Sequence, residues 1–270
     1  MKVACVQVCA GDVMAKNLAV VGEFIKEAGA AGAQLITTPE NVSLMATDHT
    51  QLLQHAVEEA EHPAVSHFCD LAATVGRWVL AGSISVAAGD GRIFNRSFLF
   101  GPDGAIAARY DKIHMFDVTL PNGEAYRESL NYRPGSVAVT ADLGGLRLGM
   151  TVCYDIRFPS LYRLLGQSGA QVITVPSAFT ATTGRAHWTV LLRARAIETG
   201  AYVVAPAQVG RHPAKRVTYG HSMVVAPWGE VVLDAGDTVG VSYADIDLAR
   251  IKSARESISA WSTIRDFAAP

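Results

Sequence analysis

The sequence predicts an α/β fold with mixed sheets, and three observations support that prediction. Short apolar runs typical of β-strands recur along the chain, from "KVACVQV" near its start to "GVSYADID" near its end. Between several of these runs lie segments whose apolar residues have helical spacing. Other runs are joined directly by turn signatures, which favour antiparallel pairs. The chain should therefore combine helices with sheets whose strands run in both directions.

Three helices are expected between the strands. Residues 18–28 carry apolar side chains at helical spacing, and so do residues 65–75, which follow Pro63 at a position that suits the first turn of a helix. The third segment, "HWTVLLRARAIET", stops before Gly200, a residue that favours a helix end.

A last helix and three hairpins complete the prediction. The tail from Asp247 spaces Leu248, Ile251, Ile258 and Trp261 as one amphipathic helix. The turn signatures are "GDG" and "GPDG" in the region of residues 80–110, and "APWGEVV" at residues 226–232. No linker-like tract or internal repeat interrupts the chain, so residues 1–270 are interpreted as a single domain.

Composition limits the partners and the compartment. The 270 residues include 23 basic and 25 acidic ones, a net charge of −2, so no overall field favours nucleic acid or an anionic membrane. The first residues are too polar for an export signal, and no apolar run is long enough to span a membrane. A cytoplasmic location is therefore expected, with all four cysteines as free thiols (Cys5, Cys9, Cys69 and Cys153).

Three strand-like runs each end in an unexpected polar residue. "LITTPE" ends with Glu40, "ARYDKIHMF" carries Lys112, and "LGMTVCYD" leads to Cys153. Reacting groups tend to collect at the carboxyl ends of strands in α/β sheets. Taken singly, each residue also has an ordinary explanation: a turn carboxylate, a surface lysine and a core thiol. Only their combination indicates chemistry.

These motifs resemble the nitrilase superfamily of carbon-nitrogen hydrolases. The resemblance rests on "TPE", "YDKIHMFD", "YRES", "CYDIRFP" and the long segment from "PSAFTATTGRAHW" to "AQVGRH", in that order, over about residues 2–262. It implies a four-layer αββα sandwich that associates as a homodimer or larger homo-oligomer. It also implies a Glu40–Lys112–Cys153 triad without a metal or organic cofactor, and Glu128 as a second glutamate beside the lysine.

The residue types of this triad suit attack on an amide. A thiol is mostly protonated at neutral pH, so Cys153 needs Glu40 as a base and Lys112 as a nearby positive charge. We expect an enclosed site that brings the pKa values of Glu40 and Cys153 closer together. The Lys112 ammonium and the backbone N–H of Tyr154 would stabilise the oxyanion.

The same segments resemble the branch of amidases that act on small 2-oxo acid amides. Two substrates then compete: 2-oxoglutaramate, which releases ammonia, and deaminated glutathione, which releases cysteinylglycine. Arg157 either pairs with a substrate carboxylate or forms a structural salt bridge. The basic segment that contains Arg211 and Lys215 resembles the deaminated glutathione branch and suits the carboxylate of a departing dipeptide; its alternative role is a solvated loop.

Other functions have weaker support in the sequence. The eight histidines lack the spacing of a metal site, and no nucleotide-binding fingerprint is present. A nitrile-converting enzyme or an N-acyltransferase would share the triad, and a catalytically silent binding protein would share the fold. The presence of Glu40, Lys112 and Cys153 favours an active amidase with a small acidic amide as its substrate.

Overall fold

The computed structural model describes residues 1–120, 123–266 and 268. Its helices in that part of the chain are α1 (Met14–Ala30), α2 (His49–His55), α3 (Pro63–Val75), α4 (Pro159–Gln167), α5 (Ala181–Thr199) and α6 (Leu248–Ser257). Its strands are β1 (Lys2–Gln7), β2 (Leu35–Thr37), β3 (Trp78–Ala87), β4 (Ile93–Phe100), β5 (Ile106–Asp111), β6 (Asp117–Thr119), β7 (Ala125–Arg127), β8 (Val139–Asp142), β9 (Arg147–Met150), β10 (Val172–Thr174), β11 (Tyr202–Ala205), β12 (Val209–Arg211), β13 (Val217–Tyr219), β14 (Met223–Val225), β15 (Val231–Asp234) and β16 (Gly240–Asp245).

Two six-stranded mixed sheets form the centre of the fold. The first sheet has the order β16-β1-β2-β3-β4-β5, in which β1, β2 and β3 are parallel and the remaining pairs are antiparallel. The second sheet has the order β15-β14-β11-β10-β9-β8, with a parallel centre formed by β9, β10 and β11. In each sheet the carboxyl ends of the parallel strands lie at the same end of the sheet, so the loops that follow these strands lie close together.

The side chains of the first sheet alternate between two cores. Val3 and Cys5 of β1 belong to the core shared with the second sheet, whereas Ala4 and Val6 belong to the core beneath α1 and α3. Buried residues of α4 and α5 pack with the second sheet on its other side. The layers are therefore helices, sheet, sheet and helices, which confirms the predicted αββα sandwich.

Most predicted elements are present. The helices expected around residues 18–28, 65–75 and 187–199 are α1, α3 and α5, and α5 ends at Gly200 in the left-handed conformation. All three hairpins pair antiparallel, as β3–β4, β4–β5 and β14–β15. All four cysteines are unpaired, as expected.

The prediction for the tail is wrong at its carboxyl end. Helix α6 ends at Ser257, and the backbone at Ile258 is extended. Trp261 lies in a separate 3₁₀ turn, and its ring packs under the Arg255 guanidinium at 4.5 Å. Serine on both sides of the β-branched Ile258 disfavours continuation of the helix. Within the described residues, no helix is both long and apolar enough to cross a membrane.

Candidate active site

Glu40, Lys112 and Cys153 converge although they come from both sheets. Glu40 lies three residues after β2, and Lys112 directly follows β5 at the edge of the first sheet. Cys153 opens a 3₁₀ turn (Cys153–Arg157) beyond β9 in the second sheet. Strand β9 ends at Met150, but the backbone at Val152 is still extended, and the Thr151 N–H still donates to the carbonyl of Thr174. All three side chains are buried.

A glycine in β3 lets the Glu40 segment approach the sheet. A Cβ atom on Gly82 would lie 2.0 Å from the carbonyl oxygen of Thr38 and 2.4 Å from that of Pro39. The Gly82 N–H donates to Oγ1 of Thr38 at 3.0 Å, and the Thr38 N–H donates to the carbonyl of Leu80. Close backbone approach of this kind requires a residue without a side chain.

The Lys112 ammonium joins two glutamates. Its Nζ donates to Oε1 of Glu40 at 2.9 Å and to both carboxylate oxygens of Glu128 at 2.8 Å. Glu128 also accepts the N–H of Phe116 at 2.6 Å. The Nδ2 of Asn95 donates to Oε1 of Glu40 at 3.0 Å and to Oε1 of Glu128 at 3.2 Å. Two carboxylates, one ammonium and one amide thus form a closed ring, which we call the carboxylate ring (Glu40, Asn95, Lys112 and Glu128).

The backbone at Cys153 has φ of 49°, an uncommon conformation for a residue with a side chain. Its N–H donates to the carbonyl of Pro176 at 3.0 Å. The side chain of the buried Asp155 stabilises this turn by accepting the Val152 N–H on its Oδ2 at 2.9 Å. The same Oδ2 accepts the Tyr110 hydroxyl at 2.7 Å, and Oδ1 accepts the His114 N–H at 3.0 Å. Asp155 therefore links the nucleophile turn to the segment on both sides of Lys112.

The charges of the site determine which groups are ionised. Burial opposes the ionisation of Glu40, but the charges of Lys112 and Arg216 and the hydrogen bonds outweigh it and hold the Glu40 pKa below its usual range. Burial, together with the charge of Glu40, raises the pKa of the Cys153 thiol. Burial alone would lower the Lys112 pKa, but Glu128 and Glu40 raise it well above its usual value.

The expectation that enclosure brings the two pKa values closer together is therefore wrong for the free site. Burial by itself would raise both pKa values, but the charges of Lys112 and Arg216 lower that of Glu40, so the pKa values of Glu40 and Cys153 move apart. The resting site holds a carboxylate beside a neutral thiol. These directions favour loss of the Cys153 proton during bond formation over its loss beforehand.

A cavity of about 700 Å³ opens above these groups. Glu40, Lys112, Glu128, Cys153 and Tyr154 all line it. The walls carry aromatic side chains (Phe116, Tyr126 and Phe179), basic ones (Arg127, Lys215 and Arg216) and the carboxylates of Asp48 and Glu124. The volume suits a small molecule, and the basic side chains of the wall can pair with a carboxylate on it.

The structure separates the other residues predicted to bind substrate. Arg157 is outside the cavity lining; its guanidinium lies 5.8 Å from the Tyr154 ring and 5.4 Å from the Phe179 ring, and it contacts Nδ1 of His187 at 3.3 Å. Arg211 is exposed on β12 and is also outside the lining. Lys215 lines the cavity, as does its neighbour Arg216.

The sequence prediction missed Asn95, and it included Arg216 only as one member of the basic cluster suited to a substrate carboxylate. Asn95 had a detectable signal, because it occupies an inward position of β4, where an apolar residue is expected. Arg216 donates to the carbonyl of Ala178 at 2.6 Å, and its guanidinium lies 5.6 Å from the Tyr126 ring. The sequence shows Arg216 only as one member of a basic run, and its position depends on the left-handed backbone of Ala214 and Lys215.

Comparison with known proteins agrees with this geometry. A deaminated glutathione amidase from Yersinia enterocolitica is 42% identical over 259 residues, covering 95% of this chain and 90% of that protein. An omega-amidase from Homo sapiens is 33% identical, covering 95% and 92%. The crystal structure of the C. elegans NitFhit protein superposes with a TM-score of 0.90 at 33% identity; it covers 98% of this chain, which spans 65% of the NitFhit chain.

The carbon-nitrogen hydrolase family matches residues 2–256 of the sequence. That match covers nearly the whole chain and includes every residue of the carboxylate ring and the nucleophile turn. The chain belongs to the carbon-nitrogen hydrolase family and is an enzyme that cleaves carbon-nitrogen bonds outside peptides.

Proposed function

We propose that this enzyme is an amidase that hydrolyses deaminated glutathione to 2-oxoglutarate and cysteinylglycine through a thioester on Cys153. The observation that carries this proposal is the meeting of Cys153, Glu40 and Lys112 at one end of a cavity with Lys215 and Arg216 in its wall. Support for the substrate comes from the deaminated glutathione amidases, of which one is 42% identical over 95% of this chain.

Acylation begins with attack of Cys153 Sγ on the amide carbon. The thiol proton passes to Glu40 as the carbon–sulfur bond forms, and negative charge develops on the carbonyl oxygen. The Lys112 ammonium stabilises this oxyanion by its charge. The Tyr154 N–H, which has no partner within its own turn, stabilises it by a hydrogen bond. Glu40 then gives the proton to the departing nitrogen, the carbon–nitrogen bond breaks, and the thioester remains.

Deacylation uses the same groups in the same roles. Water loses a proton to Glu40 and attacks the thioester carbon, and the same donors stabilise the second oxyanion. The carbon–sulfur bond breaks, and the sulfur regains its proton from Glu40. Glu128 stays bound to Lys112 throughout and keeps the ammonium directed at the site.

A first experiment tests the nucleophile. Cys153→Ala should abolish hydrolysis of any amide substrate and prevent an acyl adduct from appearing in the intact mass of the protein. Cys69→Ala is the matched control, because Cys69 is a half-buried thiol outside the cavity lining and should leave turnover unchanged. Full activity of the Cys153 variant would exclude this mechanism.

A second experiment separates the two candidate substrates. The proposed enzyme has a higher kcat/KM for deaminated glutathione than for 2-oxoglutaramate, a simple nitrile or a carbamoyl amino acid. The omega-amidase reaction on 2-oxoglutaramate is the second candidate, because an omega-amidase matches the same 95% of the chain at 33% identity. A reversed order of the first two rates would favour it.

The wall of the cavity provides a test of the leaving group. Lys215→Ala should weaken turnover of deaminated glutathione more than that of 2-oxoglutaramate, because only the dipeptide brings a second carboxylate. Lys252→Ala is the control, since the Lys252 side chain is 77% exposed on α6. Equal losses on both substrates would remove Lys215 from the leaving-group site.

We further propose a single-domain cytoplasmic enzyme that forms a homodimer or larger homo-oligomer. The four free cysteines support a reducing compartment. Exposed apolar side chains on the outer helices and the β14–β15 hairpin, including Leu164, Val190, Ile197 and Trp228, support self-association. Light scattering on the purified protein would test the oligomeric state, with a monomer as the contrary result.

A further inference from the structure

We propose that Asn95 is a positioning residue that leaves only one oxygen of Glu40 able to act as the catalytic base. The inference rests on the proposed role of Glu40 and extends it to a single atom. Asn95 lies in β4, a strand that supplies no other member of the carboxylate ring, and it is 2% exposed.

The two N–H groups of the Asn95 amide serve two different carboxylates. Nδ2 lies 3.0 Å from Oε1 of Glu40 and 3.2 Å from Oε1 of Glu128. Lys112 bridges the same two oxygens at 2.9 Å and 2.8 Å. Asn95 and Lys112 therefore hold Glu40 and Glu128 together from two sides, and only one of these two donors adds charge.

The two oxygens of Glu40 consequently differ. Oε1 accepts from Lys112 and from Asn95, which occupies both of its lone-pair directions. Oε2 accepts the Ala178 N–H at 2.9 Å. No second donor among the described residues reaches Oε2, so one of its lone pairs remains available. The thiol proton is thereby directed to Oε2.

The orientation of the Asn95 amide supports this role. Its Oδ1 is buried without a hydrogen-bond partner among the described residues. The reverse orientation would place this oxygen against two carboxylates, and like partial charges would then repel each other. The fold leaves one acceptor unsatisfied and keeps both donors of the amide on the glutamates.

Alkylation of Cys153 tests the proposal without a substrate. The rate of modification by iodoacetamide is followed on the Cys153 peptide by mass spectrometry as a function of pH, beside the pH dependence of kcat/KM. In the unaltered enzyme both rates fall as the pH falls through the pKa of Glu40. Asn95→Leu replaces the amide donor with an apolar side chain of similar volume, and the loss of that hydrogen bond raises the pKa of Glu40. The acid limb of each pH profile, where the rate falls with falling pH, should therefore move up by about one pH unit.

The steady-state constants provide a second readout. A misdirected base should lower kcat by about 10- to 100-fold while KM changes by less than about threefold. Asn95→Ser keeps a hydroxyl donor and should move the acid limb less than Asn95→Leu does. The control is Ser97→Ala on the same face of β4: Ser97 is equally buried and donates to the carbonyl of Ala81, so its loss should leave the acid limb in place.

Thermal unfolding of each variant shows whether it is folded before its rates are compared. An acid limb that stays in place in a folded Asn95→Leu protein would overturn the proposal, and so would equal shifts in the leucine and serine variants. A shift in alkylation by a protein that hydrolyses none of the amides would support the role of Asn95 and contradict the proposed function instead.

Discussion

Lys112 is the only cation that contacts both glutamates of the carboxylate ring within the described residues. It is 2% exposed, and each of its three short contacts goes to a carboxylate oxygen. A buried ion pair contributes little net stability when complete, but removing one partner leaves an uncompensated buried charge. Lys112 is therefore required for the charge state of the site as well as for its chemistry.

The change Lys112→Met tests this requirement. We expect a loss of about 3–5 kcal/mol in the free energy of unfolding at neutral pH, because Glu40 and Glu128 lose their counter-charge. In the unaltered protein the Glu40 pKa is depressed, so the stability from that group is lost as the pH falls through its folded pKa. Without Lys112, burial raises that pKa, and protonation at lower pH relieves the penalty.

The measurement is denaturant unfolding at neutral and at mildly acidic pH. The difference between the two proteins should shrink as the pH falls. Lys252→Met, on the exposed side of α6, should stay within about 0.5 kcal/mol of the unaltered protein at both pH values. A penalty of equal size at both pH values would show that charge is not its cause.

Strand β3 positions Glu40 without contributing a catalytic side chain. Its pairing register with β4 shifts between Ala81 and Ile84, and Gly82 lies in that irregular step against the backbone of Thr38 and Pro39. A bulge next to a functional residue commonly redirects the chain. The absence of a side chain at Gly82 therefore sets where Glu40 stands.

Gly82→Ala should displace the Glu40 segment, because the new methyl group would meet two backbone oxygens closer than 3 Å. We expect a loss of about 1–3 kcal/mol in the free energy of unfolding from overpacking. The kcat/KM should fall by about 100-fold, because a displacement of about 1 Å is enough to misalign a catalytic group.

Both quantities are compared with those of Gly11→Ala. The nearest atom to a Cβ on Gly11 is Oδ1 of Asn17 at 3.9 Å, so that methyl group fits without displacement. Unchanged activity of a folded Gly82→Ala protein would contradict the role given to this close approach.

Packing between the two sheets holds the two halves of the site together. Glu40 and Lys112 follow strands of the first sheet, whereas Cys153 follows a strand of the second. The core between the sheets contains residues of both, including Leu80 and Leu99 of the first sheet and Leu148 and Met150 of the second. The distance between base and nucleophile thus depends on this apolar layer, to which Cys153 itself belongs.

Leu99→Ala should cost about 2–5 kcal/mol in the free energy of unfolding, because it opens a cavity in a fully buried layer. Val20→Ala on the outer face of α1, where Val20 is 49% exposed, should cost less than about 1 kcal/mol. Urea unfolding of both variants supplies the comparison. Similar costs at the two positions would show that the layer between the sheets is not tightly packed.

Local patterns in the sequence account for most of the elements. Alternation and helical spacing predicted α1, α3, α5 and the hairpins, because these depend on residues close together in the chain. The same local information predicted α6 too long, since the spacing of Ile258 and Trp261 fits a helix that the serines beside Ile258 disfavour. Helices α2 and α4 were not predicted; α2 has one buried side chain, Leu52, and α4 is only nine residues long.

The sequence by itself determined the layered α/β architecture and the family, and it drew attention to Glu40, Lys112, Glu128 and Cys153, because their short motifs stand in a recognisable order. Only the tertiary structure decided the ionisation of Glu40 and Cys153, the roles open to Asn95 and Arg216, and which basic residues reach the cavity. Those properties depend on burial, on distances between charges and on hydrogen-bond direction, which arise where β2, β4, β5 and the turn after β9 meet. These properties depend on residues that are far apart in the sequence, so local sequence patterns do not predict them.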